Sequence, residues 1–274
     1  MNRRQMLRLL GSSLGASERH VVVGAIAFEI VWLSQEKEQL EKRHLFEAIQ
    51  DLDVYENRLA VLGTQRGENG FIGTDGAIAW TTSLQGELGE LKPILYSISG
   101  PGARLMDNCS GHEFGALRFL PDGSLVIAPG AEPGVYLYDP AGVLTYTWPT
   151  EPLGVDATVC DFDLKESTRL GADYVERAKW DSRFTVIDDV LPLVEGPGLL
   201  LRYAVDGEIR WRLAVLHRDS AATMYEVPVT SPSLEPHLRG DVRGEKIVLL
   251  RTQGGDRGKP PDAEPILYVI DFPR

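Results

Sequence analysis

Residues 116–148 read ALRFLPDGSLVIAPGAEPGVYLYDPAGVLTYTW, and the punctuation of this stretch decides the fold. Four apolar runs, ALRFL, SLVIAP, VYLYD and VLTYTW, are divided by Pro121-Asp122-Gly123, by a Gly- and Pro-rich loop, and by Pro140-Ala141-Gly142. Asp-Gly favours tight hairpins because glycine reaches positive φ without a Cβ clash and aspartate tolerates the neighbouring left-handed position. Four antiparallel strands in about 35 to 45 residues make one blade of a β-propeller.

The same phrase, a glycine turn followed by an apolar strand ending in tryptophan, recurs on both sides. It reads Thr74-Asp75-Gly76-Ala77-Ile78-Ala79-Trp80 before this stretch and Val205-Asp206-Gly207-Glu208-Ile209-Arg210-Trp211 after it, with Asp139 to Trp148 as a third version. From Asp53 onward the chain is short β-rich runs and turn residues, with hardly any helical periodicity. Residues 53–274 are therefore expected to form an all-β domain, a β-propeller of about five or six blades with six favoured. A β-sandwich would also space short strands regularly, but internal repetition favours the propeller. The tryptophans are expected to pack between blades.

A chain of 274 residues with 43% hydrophobic and 25% charged residues is an ordinary globular composition, long enough to bury a large core. Its net charge of −12 is uneven: Arg3, Arg4, Arg8 and Arg19 oppose only Glu18 in the first twenty residues. The acidic remainder repels phosphate backbones and argues against a nucleic-acid partner. Two cysteines, Cys109 and Cys160, are too few for a disulfide framework and wrongly spaced for zinc. They allow one optional disulfide, with two buried free thiols as the plainer reading.

Residues 1–34 pose the membrane question. Val21 to Leu33 (VVVGAIAFEIVWL) is apolar apart from Glu29. Thirteen residues give about 20 Å of helix against a hydrocarbon core of roughly 30 Å. A helix starting near Leu14, with Arg19 and His20 snorkelling and Trp32 at the far interface, would make a marginal single span. On this reading Val21, Ile26, Phe28, Glu29, Trp32 and Leu33 form an anchor in the inner membrane, and the positive-inside rule sends the rest of the chain to the periplasm. Glu29 within a bilayer would call for a protein neighbour, so other membrane-protein subunits are expected partners. A twin-arginine-like export signal (RRQML) and a buried strand or helix of a soluble protein compete with the anchor. Residues 35–52, QEKEQLEKRHLFEAIQDL, contain strong helix formers and no Gly or Pro, and are expected to continue the helix as a linker.

Two phrases carry a family resemblance. Cys109-Ser-Gly-His112-Glu-Phe-Gly-Ala-Leu-Arg-Phe-Leu-Pro-Asp-Gly-Ser-Leu-Val-Ile, followed by Tyr138 to Trp148, resembles bacterial arylsulfotransferase-like propellers, in which a His and an acidic residue precede a strand and a Leu-Pro-Asp/Asn-Gly turn. The stretch from Trp180 to Trp211, with Asp188, Asp189 and the VDGEIRW hairpin, is similar to a further blade of that type. The resemblance spans Asn57 to Trp211, and an N-terminal membrane helix is found in several members of the group. It implies transfer of a sulfuryl group from a phenolic sulfate to a histidine and on to a second phenol. Such chemistry needs a neutral imidazole and several convergent hydrogen-bonding or cationic groups.

Of the five histidines, His20 and His44 precede the propeller and only His112 lies in a matching phrase. His112 is thus the candidate catalytic residue, while His217 (VLHRDS) and His237 (EPHLRG) read as ordinary surface histidines. Glu113, Asp161, Asp163, Asp188 and Asp189 carry oxygens suited to Ca²⁺, but no spaced acidic loop is present, so they read as solvated and no metal is expected. Gly254-Gly255 reads as a turn, no phosphate-binding loop occurs, and no cofactor is expected. The depleted histidine set points to a non-catalytic binding or scaffold module, an accessory subunit of a membrane complex. An aryl-sulfate sulfotransferase-like enzyme is the alternative.

Overall fold

The structure is a computed structural model that describes residues 14–16, 20–25, 29–34, 39–44, 46–65, 76–84, 89–96, 115–130, 132–155, 183–231, 236–253 and 266–271. It is all-β, with antiparallel meanders following one another along the chain, the arrangement of β-propeller blades. The first sheet holds β1 (Leu14–Ala16), β2 (His20–Ala25), β3 (Glu29–Ser34) and β4 (Gln39–His44). The second holds β5 (Phe46–Tyr55), β6 (Arg58–Gln65), β7 (Ala77–Ser83) and β8 (Lys92–Tyr96). The third holds β9 (Gly115–Phe119), β10 (Leu125–Pro129), β11 (Gly134–Tyr138) and β12 (Leu144–Pro149), the four strands read from the punctuation of residues 116–148. The fourth holds β13 (Val186–Pro192), β14 (Pro197–Val205), β15 (Glu208–Val215) and β16 (Thr223–Ser231). The fifth has three strands, β17 (Pro236–Arg243), β18 (Lys246–Gln253) and β19 (Ile266–Asp271). Among the described residues, then, four sheets are complete four-stranded blades, and the expected five or six complete blades are not met.

Turn chemistry places the hairpins. Gly123 takes φ of 81° in the turn after Asp122, and Asp206-Gly207 takes 51° and 80°, both residues left-handed as a two-residue hairpin requires; Gly76 takes 72°, and Asp75 before it lies outside the described residues. The only helical piece among the described residues is a single 3-10 turn at Glu151–Leu153.

The N-terminal reading is corrected. Val21 to Leu33 is not an anchor helix: Val21, Glu29, Trp32 and Leu33 lie on β2 and β3, which pair as a hairpin with Val21 opposite Leu33 and Val22 opposite Trp32. Ile26 and Phe28 lie outside the described residues. The physical reason is legible in the run itself, where Val21, Val22, Val23, Ile30 and Val31 are β-branched and prefer a pleated strand. No helix among the described residues is long and apolar enough to cross a membrane. The helical linker is overturned as well, because 39–44 and 46–55 are strands and β5 runs across the expected boundary at residue 52. Pairing with β3 and with β6 overrides the helix propensity of Glu, Gln and Lys, a preference worth only tenths of a kcal/mol per residue.

The chain divides into two compact units, Met1–Met106 with Ala116–Ile127 and Leu137–Leu144, and Asp107–Gly115 with Ala128–Tyr136 and Thr145–Arg274. In the first, Leu52, Val54, Leu59, Val61, Ala77, Trp80 and Leu84 form a buried cluster. Arg58 ties neighbouring turns there: its guanidinium donates to the carbonyls of Gly123 and Pro140 at 2.6 and 2.8 Å and lies over the rings of Tyr55 and Phe119. In the second, Trp211 is fully buried in a cluster drawn from the fourth and fifth sheets, including Leu191, Leu200, Leu213, Leu238, Ile247 and Leu249. Packing between successive sheets is the role expected of this tryptophan. Trp148 departs from the repeat, lying on the fourth strand of its sheet where Trp80 and Trp211 lie on the third.

Candidate functional site

Charged side chains are rare in a propeller interior, so the buried aspartates mark the places to look. Each unit has one pair, on the first strand of a sheet. In the first unit Asp51 and Asp53 sit two apart on β5, which places both on one face of the strand. Asp51 Oδ2 accepts the Leu117 N–H at 3.0 Å and Asp53 Oδ2 accepts the Phe119 N–H at 2.9 Å, both on β9, the first strand of the next sheet. These are the free-edge amides of β9, which would otherwise be buried without acceptors.

The second unit repeats the device. Asp188 Oδ2 accepts the Leu238 N–H at 3.0 Å and Asp189 Oδ2 accepts the Gly240 N–H at 2.7 Å, on β17, again the first strand of the next sheet. Adjacent strand residues normally point to opposite faces. A register shift between Ile187 and Asp189 supplies the irregularity that lets Asp188 and Asp189 both reach β17. The gripped strands match in sequence too, Leu117-Arg118-Phe119 in one clasp and Leu238-Arg239-Gly240 in the other.

The second clasp carries more chemistry. Trp211 Nε1 donates to Asp188 Oδ2 at 2.7 Å. His237 Nδ1 lies 3.5 Å from Asp188 Oδ1, and Arg239 Nη1 lies 3.6 Å from Asp189 Oδ1. Asp189 Oδ1 also accepts the Val190 N–H at 2.9 Å. Asp188 and Asp189 are 3% and 0% exposed, and Arg202 behind them is 2% exposed, while the His237 side chain is 40% exposed. Burial by itself would raise the Asp188 pKa. The His237 ring, the Arg202 charge and the Trp211 N–H together outweigh it and hold that pKa down at about 2. Asp188 is therefore an anion across the physiological range, held by donors from β15 and β17.

This arrangement corrects two expectations. Asp188 and Asp189 are not solvated acids but buried charges, their oxygens spent on backbone and side-chain donors. His237 is not an ordinary surface histidine, since its ring meets a buried carboxylate. His217 is closer to expectation: it is partly exposed, its ring lies 3.0 Å from Thr223 Oγ1, and its carbonyl accepts the Trp148 indole N–H at 2.8 Å. His112, Glu113, Asp161, Asp163, Cys109 and Cys160 lie outside the described residues. Among the described residues no group of three or more His, Cys, Asp or Glu side chains is arranged to hold a metal. The alternation of Asp51 and Asp53 with Leu52 and Val54 marks one face of a strand in the first clasp, but it does not name the strand that this face grips.

No protein-family model and no curated protein matches the chain. Solved structures do. A member of the duf4221 family from Bacteroides vulgatus shares 8% identity, with 93% of this chain and 76% of that one covered and a TM-score of 0.55. A protein of unknown function from Bacteroides caccae shares 11% identity over 94% of this chain and 77% of that one, with a TM-score of 0.48. A catalytically inactive virginiamycin B lyase from Staphylococcus aureus shares 7% over 96% and 83%, with a TM-score of 0.42. At such identities the first of these likenesses shows the fold alone.

Proposed function

We propose that the chain is a non-catalytic binding and scaffold propeller, an accessory subunit of a larger membrane-associated assembly outside the cytoplasm. The observation that carries this reading is the use made of Asp188 and Asp189. Their oxygens hold the Leu238 and Gly240 amides, the Trp211 indole and the His237 and Arg239 side chains, so a buried acid pair is committed to joining two sheets. An enzyme centre needs such groups aimed at substrate instead. The extracytoplasmic location rests on the basic opening, Arg3, Arg4 and Arg8, and no longer on a spanning helix.

The test compares the unmodified protein with His112→Ala. Neither is expected to transfer sulfuryl groups from a chromogenic aryl sulfate to a phenol, and both are expected to retain the same co-purifying partner. Turnover that disappears in His112→Ala would overturn the scaffold reading in favour of the sulfotransferase-like enzyme.

A further inference from the structure

The two clasps share an acid pair on the first strand of one sheet, Leu-Arg-x on the first strand of the next, and two carboxylate-to-amide hydrogen bonds of 2.7–3.0 Å in each. They differ in the spacing of the acids, in Phe119 against Gly240, in the Trp211 indole on Asp188, and in the residue before the gripped leucine, Ala116 in the first and His237 in the second. Of these differences only His237 places an ionisable side chain in one grip and none in the other. We propose that His237 makes the second clasp proton-responsive, so that β17 is held more tightly against β13 when the imidazole is charged than when it is neutral.

The geometry gives the direction. Nδ1 of His237 is 3.5 Å from Oδ1 of Asp188, and the carboxylate is sealed from water while the imidazole stays open to it. Protons can therefore reach the ring, and the charge they create meets a fixed anion in a poorly screened setting. Asp188 of β13 faces the ring, and the side chains that meet the acid pair are Arg202 from β14, the uncharged Trp211 from β15 and Arg239 on β17. On β18, Thr252 pairs opposite His237, and Arg251 donates to the Thr230 carbonyl. Among the described residues, Asp188, Asp189, Arg202 and Arg239 make up the charged set of the clasp, and a proton on His237 adds one positive charge to it. Asp188, with its pKa at about 2, stays ionised throughout that range. A charged imidazole favours the docked strand. The added hold is present while the ring carries its second proton and is lost when the ring is neutral.

Amide hydrogen exchange on the full chain tests this at about pH 5.5 and about pH 8, the two sides of an imidazole titration, after correction for intrinsic exchange. Protection of the Leu238 and Gly240 amides is expected to fall by about two- to five-fold at the higher pH, the scale of a half-exposed ion pair. In His237→Gln, and in His237→Ala, which copies the first clasp, the dependence should vanish. The Leu117 and Phe119 amides serve as the internal control and should show none in any variant. Flat protection at Leu238 and Gly240 in the unmodified protein would overturn the proposal. So would a pH dependence that survives in both variants, or an equal change at Leu117 and Phe119, which would mark a general loss of stability.

Discussion

Glu56 carries a full side chain through the left-handed region, at φ 52°, in the turn joining β5 to β6. An L-residue with a Cβ pays about 1–2 kcal/mol there, which glycine avoids, although glycine also gives the unfolded chain more freedom to lose. Glu56→Gly is expected to stabilise by about 0.5 kcal/mol, read as a higher urea midpoint with unchanged slope. Asp188 belongs to the opposite class. Asp188→Asn removes a buried negative charge that Arg202 and His237 stabilise and weakens the acceptor of the Trp211 indole and the Leu238 amide, a loss expected to cost about 1–3 kcal/mol. Its acid dependence has a definite sign. The folded pKa is depressed, so the carboxylate adds stability that is complete above the unfolded value near 4 and disappears as pH falls toward about 2. Acid unfolding of the unmodified protein should be steeper over that window than that of Asp188→Asn, as followed by Trp fluorescence.

Elements in this chain are decided by what they lie against. β17 is admitted to its place by Gly240, where a Cβ would stand 2.5 Å from Leu191 Cδ2 and 3.1 Å from Leu249 Cδ2. The corresponding position on β9 is Phe119, so the Leu-Arg-x grip itself does not demand glycine; the packing of β17 does. Gly240→Ala is expected to destabilise by about 1–3 kcal/mol through overpacking, with a lower thermal midpoint. β2 and β3 teach the same lesson from the other side. An apolar run of thirteen residues is short for a membrane helix, and its valines and isoleucines satisfy their backbone by pairing with each other and with β4. Apolar content alone left helix and strand open; β-branching was the better guide.

For the whole molecule, the prediction concerns attachment. With β2 and β3 paired as a hairpin, the run from Val21 to Leu33 is not a spanning helix, and the proposed location leans on the basic opening. Replacing Arg3, Arg4 and Arg8 together with Gln is expected to abolish export of the chain, measured by fractionation of cytoplasm and periplasm. Unchanged export would remove the basic opening as the basis of the proposed location. The acid-pair clasps lay beyond sequence reading because their donors and acceptors are 66 residues apart in the first unit and 50 or 51 apart in the second.

Local signals by themselves determined the strand–turn texture, the four strands of residues 116–148, the Asp-Gly hairpins and the burial of the three repeat tryptophans. Each of these depends on neighbours within a few residues, where propensity and side-chain period act directly. Tertiary structure alone decided that residues 39–44 and 46–55 are strands against their helix propensity, that Asp188 and Asp189 are buried, and that His237 meets one of them. Those outcomes turn on which backbone amides a distant strand leaves unpaired, and no local pattern encodes the identity of that strand.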